Sequence, residues 1–248
     1  MIYNQERYAR QLMIDDWGPL GQEKLQRATV FQVGAGGLGS PVAYYLAAAG
    51  VGKLIICDMD VVDISNLNRQ ILHGDGRIGV NKAVSAAITL HGVNPEMQVV
   101  PVQERVTDEN ISQLSQGADI LIDCLDNFDS RYTMMREAAR REIPLVHGSV
   151  WGMEGRLSVF HVPHTPCLQC AFPAAPPKEV FPILGATPGV IGSMQALETV
   201  KCLTGIGEPL QNRLLVWDGM SCTFRKFQIS KRAGCPICGH INAKEEDH

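Results

Sequence analysis

Apolar runs and amphipathic stretches alternate through the first 150 residues of the chain. "TVFQV" (29–33), "KLIICD" (53–58), "MQVVPV" (97–102), "DILIDCL" (119–125) and "PLVHGS" (144–149) are short and rich in β-branched residues. This is the signature of strands buried on both faces. Between most of them, "SPVAYYLAAAG" (40–50), "NKAVSAAITLHG" (81–92), "DENISQLSQG" (108–117) and "SRYTMMREAARRE" (130–142) place apolar positions at helical spacing. The alternation predicts an α/β fold with a Rossmann-like, doubly wound and mostly parallel sheet.

The pattern changes after Gly148. "EGRLSVFHV" (154–162) alternates like a half-buried strand and leads into a proline-rich loop. A helix, "VIGSMQALETVKCLTG" (190–205), precedes two strand-like runs, "NRLLVWDG" (212–219) and "SCTFRKFQIS" (221–230). These last runs predict a C-terminal antiparallel extension of the sheet.

"GAGGLG" (34–39) follows the first strand and opens a helix, the context in which G-x-G-x-x-G binds phosphate. Asp58 ends the next strand, where a carboxylate can hold a ribose hydroxyl. Taken alone, the pair points to NAD. The residues that follow do not suit a dehydrogenase. Asp60, Ser65, Asn66, Arg69 and Gln70 come next, then Lys82, then Asp126 and Asn127 at a strand end. The C-terminal ends of strands in such a sheet share one crevice. Two cations and a metal-binding carboxylate there equip the site for a triphosphate with Mg²⁺.

Charge and composition exclude other classes. A net charge of -4 argues against general affinity for nucleic acid or an anionic membrane. The start "MIYNQERYARQLMIDDWG" lacks a basic end followed by an apolar core, and no apolar run approaches the roughly 20 residues of a membrane span. A cytoplasmic protein is expected. The 8 cysteines fall into two groups. Cys57, Cys124, Cys202 and Cys222 stand alone in apolar surroundings and are expected as buried structural thiols. Cys167, Cys170, Cys235 and Cys238 form two C-x-x-C pairs, "CLQC" and "CPIC". Four thiolates satisfy tetrahedral Zn²⁺ and leave no position for water, so a structural zinc site is expected.

"ERYARQ", "GAGGLGSPVAYYLAAAGVGKLIICDMDVVDISNLNRQIL", "GVNKA" and "DCLDN" closely resemble the ThiF/MoeB/HesA family from about Tyr8 to Gly239. These relatives of ubiquitin-activating enzymes adenylylate the C-terminal glycine of a small β-grasp sulfur-carrier protein. The resemblance implies one adenylation domain over residues 1–248. It comprises an N-terminal helical arm (1–27), a nucleotide-binding half (28–150), a carrier-binding and zinc-containing half (151–240) and a disordered tail (241–248). It implies ATP as the nucleotide, with Gly37 in the contacting turn and Asp58 on the ribose. Asn66, Arg69 and Lys82 correspond to the phosphate-contacting set, and Asp126, beside Asn127, to the Mg²⁺ ligand. Arg10 resembles an arginine contributed across a homodimer interface to the partner's ATP.

The chain also departs from that family. Many relatives carry a cysteine between the first C-x-x-C and the helix that follows. Here the loop, "AFPAAPPKEVFPILGATP" (171–188), contains none. Catalysis through a loop thiol is therefore not expected, and sulfur would come from a separate donor. His147, His161 and His164 do not form a metal set or a triad; His147, at a strand end near the crevice, is read as core or rim packing, with substrate contact as the alternative. Two rival readings remain at this stage. An NAD-dependent oxidoreductase leaves Arg69, Lys82 and Asp126 without a task. A non-catalytic scaffold that docks the carrier needs none of the four charged residues Arg10, Arg69, Lys82 and Asp126.

Overall fold

All five apolar runs of the first 150 residues become strands. They are β1 (Thr29–Val33), β2 (Lys53–Cys57), β3 (Gln98–Val102), β4 (Ile120–Asp123) and β5 (Leu145–Trp151). The computed structural model describes residues 3–175 and 182–241. The expected antiparallel extension also forms, as β6 (Glu154–Phe160), β7 (Arg213–Asp218) and β8 (Thr223–Gln228). Together they make an 8-stranded sheet in the order β3-β2-β1-β4-β5-β6-β7-β8. Pairing is parallel from β3 to β5 and antiparallel from β5 to β8. The strand order reverses between β1 and β4, which is where a doubly wound sheet opens a crevice for ligand.

Eight α-helices among the described residues accompany the sheet: α1 (Ala9–Leu12), α2 (Gly18–Arg27), α3 (Gly39–Ala49), α4 (Lys82–Val93), α5 (Ile111–Leu114), α6 (Phe128–Arg141), α7 (Leu168–Ala171) and α8 (Ala186–Thr204). Side chains alternate across a strand, so successive residues of β1 feed different cores. Val30 joins Leu46, Leu90 and Ile191 beneath α3, α4 and α8. Phe31 joins Met134, Met135 and Ala138 beneath α6, in the core that also contains Cys167, Cys170, Cys235 and Cys238.

The arm docks far from the glycine loop. α3 ends at Gly50, whose φ of 91° is left-handed, and the Tyr8 ring lies 2.6 Å from where a Cβ on Gly50 would sit. Gln11 and Gln22 both donate to Ala49 O, at 3.0 and 2.9 Å. The arm is therefore fixed to the C-terminal end of α3, about 16 Å of helix from the glycine turn at its start.

Three expectations need correction. The helix predicted over 108–117 contracts to the single turn α5. Asn110 instead caps a local turn, accepting from Thr107 N–H and donating to Arg105 O, while Gly117 at φ 77° closes the other side. The helix predicted from Val190 starts at Ala186, because Pro188 falls in its first turn, where no intrahelical N–H is required. Of the thiols expected to be buried, Cys222 is exposed in the β7–β8 turn with φ 55° and Cys202 is only partly buried. The centre of the proline-rich loop and the tail beyond Ile241 lie outside the described residues.

Candidate active site

Two glycines set the loop after β1. Gly34 has φ 98°, and a Cβ there would lie 2.5 Å from Cys124 O. A Cβ on Gly39 would fall on the Gly34 carbonyl oxygen. Only glycine permits so close an approach of strand, turn and helix. Gln32 sits beneath this turn, fully buried inside an otherwise apolar strand, and its Nε2 donates to Gly34 O (2.9 Å) and Gly39 O (3.0 Å). His73 pins the same turn from the side. Its Nε2 lies 2.9 Å from Ala35 O, and a carbonyl only accepts, so Nε2 carries the proton and Nδ1 accepts from the Ser85 hydroxyl at 2.9 Å. Burial holds His73 below the usual histidine range and so favours this neutral form. Neither Gln32 nor His73 was singled out from the sequence. The available signal was a polar residue within an apolar run.

Asp58 reaches the turn from the end of β2. Its Oδ2 accepts from Ala35 N–H (2.8 Å) and its Oδ1 from Asp60 N–H (2.9 Å). Burial raises its pKa, against the pull of those two amides and of Lys82. Lys82 opens α4 and is itself buried, with Nζ 3.1 Å from Asp60 Oδ2. Asn81 caps α4 and ties it to β2 by donating to Asp58 O and Asp60 O. Lys82 and Asp60 thus hold each other at the rim beside Asp58.

Arg69 and Gln70 approach the glycine turn from outside. The Arg69 stem lies 3.5 Å, and Pro188 of α8 3.2 Å, from where a Cβ of Gly37 would be. Arg69 Nη1 donates to Ser65 O and Asn68 Oδ1. The Gln70 amide lies 3.5 Å from a Cβ position on Gly36, and its Oε1 is buried without a hydrogen-bond partner among the described residues. Gly185 packs so tightly on Asn68 O that a Cβ could not be accommodated. The start of α8 therefore forms one wall of the site, a contribution no local motif announces.

Ser65, Asn66 and Asn127 also have structural tasks. Asp63 and Asn66 form a reciprocal cap on a short 3-10 turn, and Ser65 donates from both N–H and Oγ to Asp63. The Asn127 side chain accepts from Ser130 N–H at the start of α6. Asp126 differs from all of these: it is exposed and makes no hydrogen bond or ion pair among the described residues. It lies two residues past Cys124, the residue that Gly34 touches, which places it on the same crevice. Arg10 does not join the group. It is exposed in α1, on the arm fixed to the far end of α3.

Below the crevice, Asp123 and His147 are register partners on β4 and β5, and both are fully buried. His147 Nδ1 lies 2.6 Å from Asp123 Oδ2, and Arg131 Nε lies 3.4 Å from the same oxygen. Burial raises the Asp123 pKa, but Arg131 and His147 outweigh it and hold the carboxylate ionised; burial keeps His147 neutral. The packing read for His147 is thus accompanied by a polar bond that the sequence did not disclose. Its Nε2 has no partner among the described residues, a loss of about 1–3 kcal/mol for a buried polar atom.

The four paired cysteines converge in the α6-side core, with all their sulfurs within 4.8 Å of one another. Cys167–Cys235 and Cys170–Cys238 are each 3.4 Å apart, and Cys167–Cys170 3.8 Å. Zinc–sulfur bonds of about 2.3 Å at tetrahedral angles require sulfur separations of roughly 3.8 Å, so the cluster fits zinc. Burial raises the Cys235 pKa, but the N–H groups of Cys238 and Ile237 bring it down to about 7. No helix among the described residues is long and apolar enough to cross a membrane.

Comparison with known proteins agrees with this fold. The SAMP-activating enzyme E1 of Haloferax volcanii is 43% identical over 241 residues, 94% of this chain and 88% of that one. The sulfur carrier protein adenylyltransferase of Thermus thermophilus is 40% identical over 252 residues, 97% of this chain and 93% of that one. The adenylyltransferase and sulfurtransferase MOCS3 of Xenopus laevis is 42% identical over 94% of this chain, which spans 53% of that longer protein. Among solved structures, the microcin C7 biosynthetic enzyme MccB of E. coli shares the fold, at a TM-score of 0.86 and 21% identity over 96% of this chain and 76% of that one. The ThiF family profile matches residues 8–237, from the N-terminal arm to the second cysteine pair, and the chain belongs to the ThiF family.

Proposed function

We propose that the protein adenylylates the C-terminal glycine of a small ubiquitin-like sulfur carrier ending in Gly-Gly, forming an acyl-adenylate and pyrophosphate. The observation that supports this reading is that Asp58 and Arg69 meet the glycine turn, with Lys82 paired to Asp60 beside Asp58 and Asp126 two residues past Cys124, which Gly34 faces. The similarity to a SAMP-activating enzyme and a sulfur carrier protein adenylyltransferase supports it.

A carboxylate oxygen of the carrier attacks the α-phosphorus. The bond from α-phosphorus to its bridging oxygen breaks, and the electron pair leaves with pyrophosphate. The barrier is electrostatic, since one anion approaches a polyanion, and a fixed array of donors lowers it. The glycine turn with Gly37 presents the start of α3 to phosphate, and Asp58 takes the ribose. Lys82 and Arg69 neutralise the triphosphate, with Asn66 and Gln70 as further donors. Gln70, whose amide is already at the turn, is the best placed of these. Asp126, which makes no hydrogen bond or ion pair among the described residues, would hold Mg²⁺, which supplies charge neutralisation when bound. Asp60 holds Lys82 extended at the rim until the triphosphate arrives.

Arg10 cannot serve the site of its own chain from the far end of α3, so it acts in a homodimer, across the interface on the partner's nucleotide. Zinc held by the four cysteines clamps the segment after β6 to the segment after β8. None of the solitary thiols is poised for covalent work beside the nucleotide. Burial raises Cys124 and pushes Cys57 and Cys202 up to about 12, and Cys222 lies in the β7–β8 turn. Sulfur therefore reaches the acyl-adenylate from a separate donor.

ATP–pyrophosphate exchange with candidate Gly-Gly carriers tests the reading. Exchange should require the carrier and disappear when its terminal glycine is removed. No exchange with any carrier, together with tight NAD binding, overturns the proposal.

A further inference from the structure

Among the described residues, the three buried groups Asp123, His147 and Arg131 make no hydrogen bond, ion pair or ring contact with the residues expected at the nucleotide, yet they hold the segment that carries Asp126. Asp123 Oδ1 accepts from Leu125 N–H at 3.0 Å. Arg131 Nη2 donates to Leu125 O and also reaches Gly148 O on the adjacent strand. Both backbone groups of the residue before Asp126 are therefore held by this cluster. Asp126 itself makes no bond among the described residues that could fix its direction. Past it, Asn127 is anchored to α6, the helix that also supplies Arg131.

The cluster is built for orientation more than for packing. Asp123 Oδ2 receives His147 Nδ1 and faces Arg131 Nε, so the carboxylate cannot rotate without losing a partner. The Arg131 guanidinium lies over the Phe128 ring, its Cζ 4.9 Å from the ring centre. His147 lies against Phe172 and Phe160, at 5.4 and 6.2 Å between ring centres. A purely apolar side chain would fill that slot without leaving Nε2 unpartnered, so its contribution is the Nδ1 bond to Asp123.

We propose that Asp123, Arg131 and His147 are positioning residues that fix the Leu125 peptide and thereby aim the Asp126 carboxylate at the metal–nucleotide. This rests on the reading of Asp126 as the Mg²⁺ ligand. Groups that orient a metal ligand affect affinity without touching the metal.

The test uses the full chain with His147→Leu, which removes the Nδ1 donor, and His147→Asn, whose amide can replace it. Amide hydrogen exchange on the nucleotide-free protein is the first readout. In His147→Leu the Leu125 amide should exchange about tenfold faster or more relative to amides of β1 and β2, the effect of one charge-assisted hydrogen bond on local opening. His147→Asn should restore much of the protection. The Mg²⁺ concentration for half-maximal ATP–pyrophosphate exchange should rise roughly 10- to 100-fold in His147→Leu and recover in His147→Asn. Faster exchange spread evenly over the sheet, or an unchanged Leu125 amide, overturns the positioning role. Calorimetry of ATP binding to the unmutated protein separates the two claims: Mg²⁺-independent binding there refutes the metal role of Asp126 and what the cluster is said to aim.

Discussion

The two ends of the sheet solve the same problem by different means. Strands β1, β2 and β4 lie between helices, and every residue of β4 is buried. At the other end all six residues of β8 are exposed, and β7 is only half covered. Apolar burial, at roughly 25 cal/mol per Å², orders the first region without help. The second has too little of it, and the four cysteines, seated in the α6-side core, give a metal the means to tie the segments after β6 and β8 to that core. The proposed nucleotide site sits on the self-sufficient region, where Asp58, Asp126 and the glycine turn follow strand ends. Stability and chemistry are thus separable, and each can be attacked alone.

The largest effect should come from the chemical end. Asp126→Ala should lower ATP–pyrophosphate exchange by roughly two to three orders of magnitude, as loss of a central electrostatic group does. The melting temperature should move by no more than about 2 °C, because the side chain is exposed and makes no bond among the described residues. Exchange assays paired with thermal melts check both statements. Removing zinc by chelation, or Cys235→Ser, should act in the reverse sense. The melting temperature should fall by about 10 °C or more, and amide exchange should rise over 213–238 but not in β1 and β2. ATP binding measured by calorimetry should survive. Unchanged stability with zinc demonstrably gone would remove the contrast between the two regions.

A smaller effect concerns the arm. Arg10→Ala and Lys82→Ala proteins should each be impaired, and an equal mixture should regain about a quarter of the normal activity, because half the dimers hold one complete site in two-fold symmetry. No recovery in mixtures that exchange subunits would refute the role of Arg10 in trans. The smallest effect is on pH dependence. Burial depresses the pKa of His73 and His147 below 6.5 in the folded chain, so both favour the native state above that pH. That contribution is lost as pH falls below 6.5 and through their lowered folded values. Asp123 is depressed below 3.8 and adds a further loss only in stronger acid. Denaturant midpoints should be flat above neutrality and decline on the acid side, and His147→Leu should flatten part of that decline.

Much of the site was legible in sequence because the motifs are local. A glycine turn between strand and helix, an acid at the next strand end and the "DCLDN" segment all lie at predictable places in a doubly wound sheet. The pairing of the two C-x-x-C motifs was legible as well, since metal chemistry needs four thiolates whatever their separation. Contacts made by distant segments with no motif were not legible. Pro188 reaches Gly37 only because α8 crosses the α3 face of the sheet, and His73 reaches Ala35 only through the turn after Gln70. His147 could be read as packing, but its bond to Asp123 depends on the β4–β5 register. The shortening of the 108–117 helix has a different cause: a local Asn110 turn overrode apolar periodicity.

By itself the sequence determined the strands, most of the helices, the glycine turn, the four-cysteine set and the family, because each is encoded by periodicity or spacing within a few tens of residues. Tertiary structure alone decided which end of α3 receives Arg10, which polar groups brace the glycine turn, and how Asp123, Arg131 and His147 grip the peptide before Asp126. Those depend on strand register and helix crossing, which place side chains within 3 Å of each other from positions that no local pattern relates.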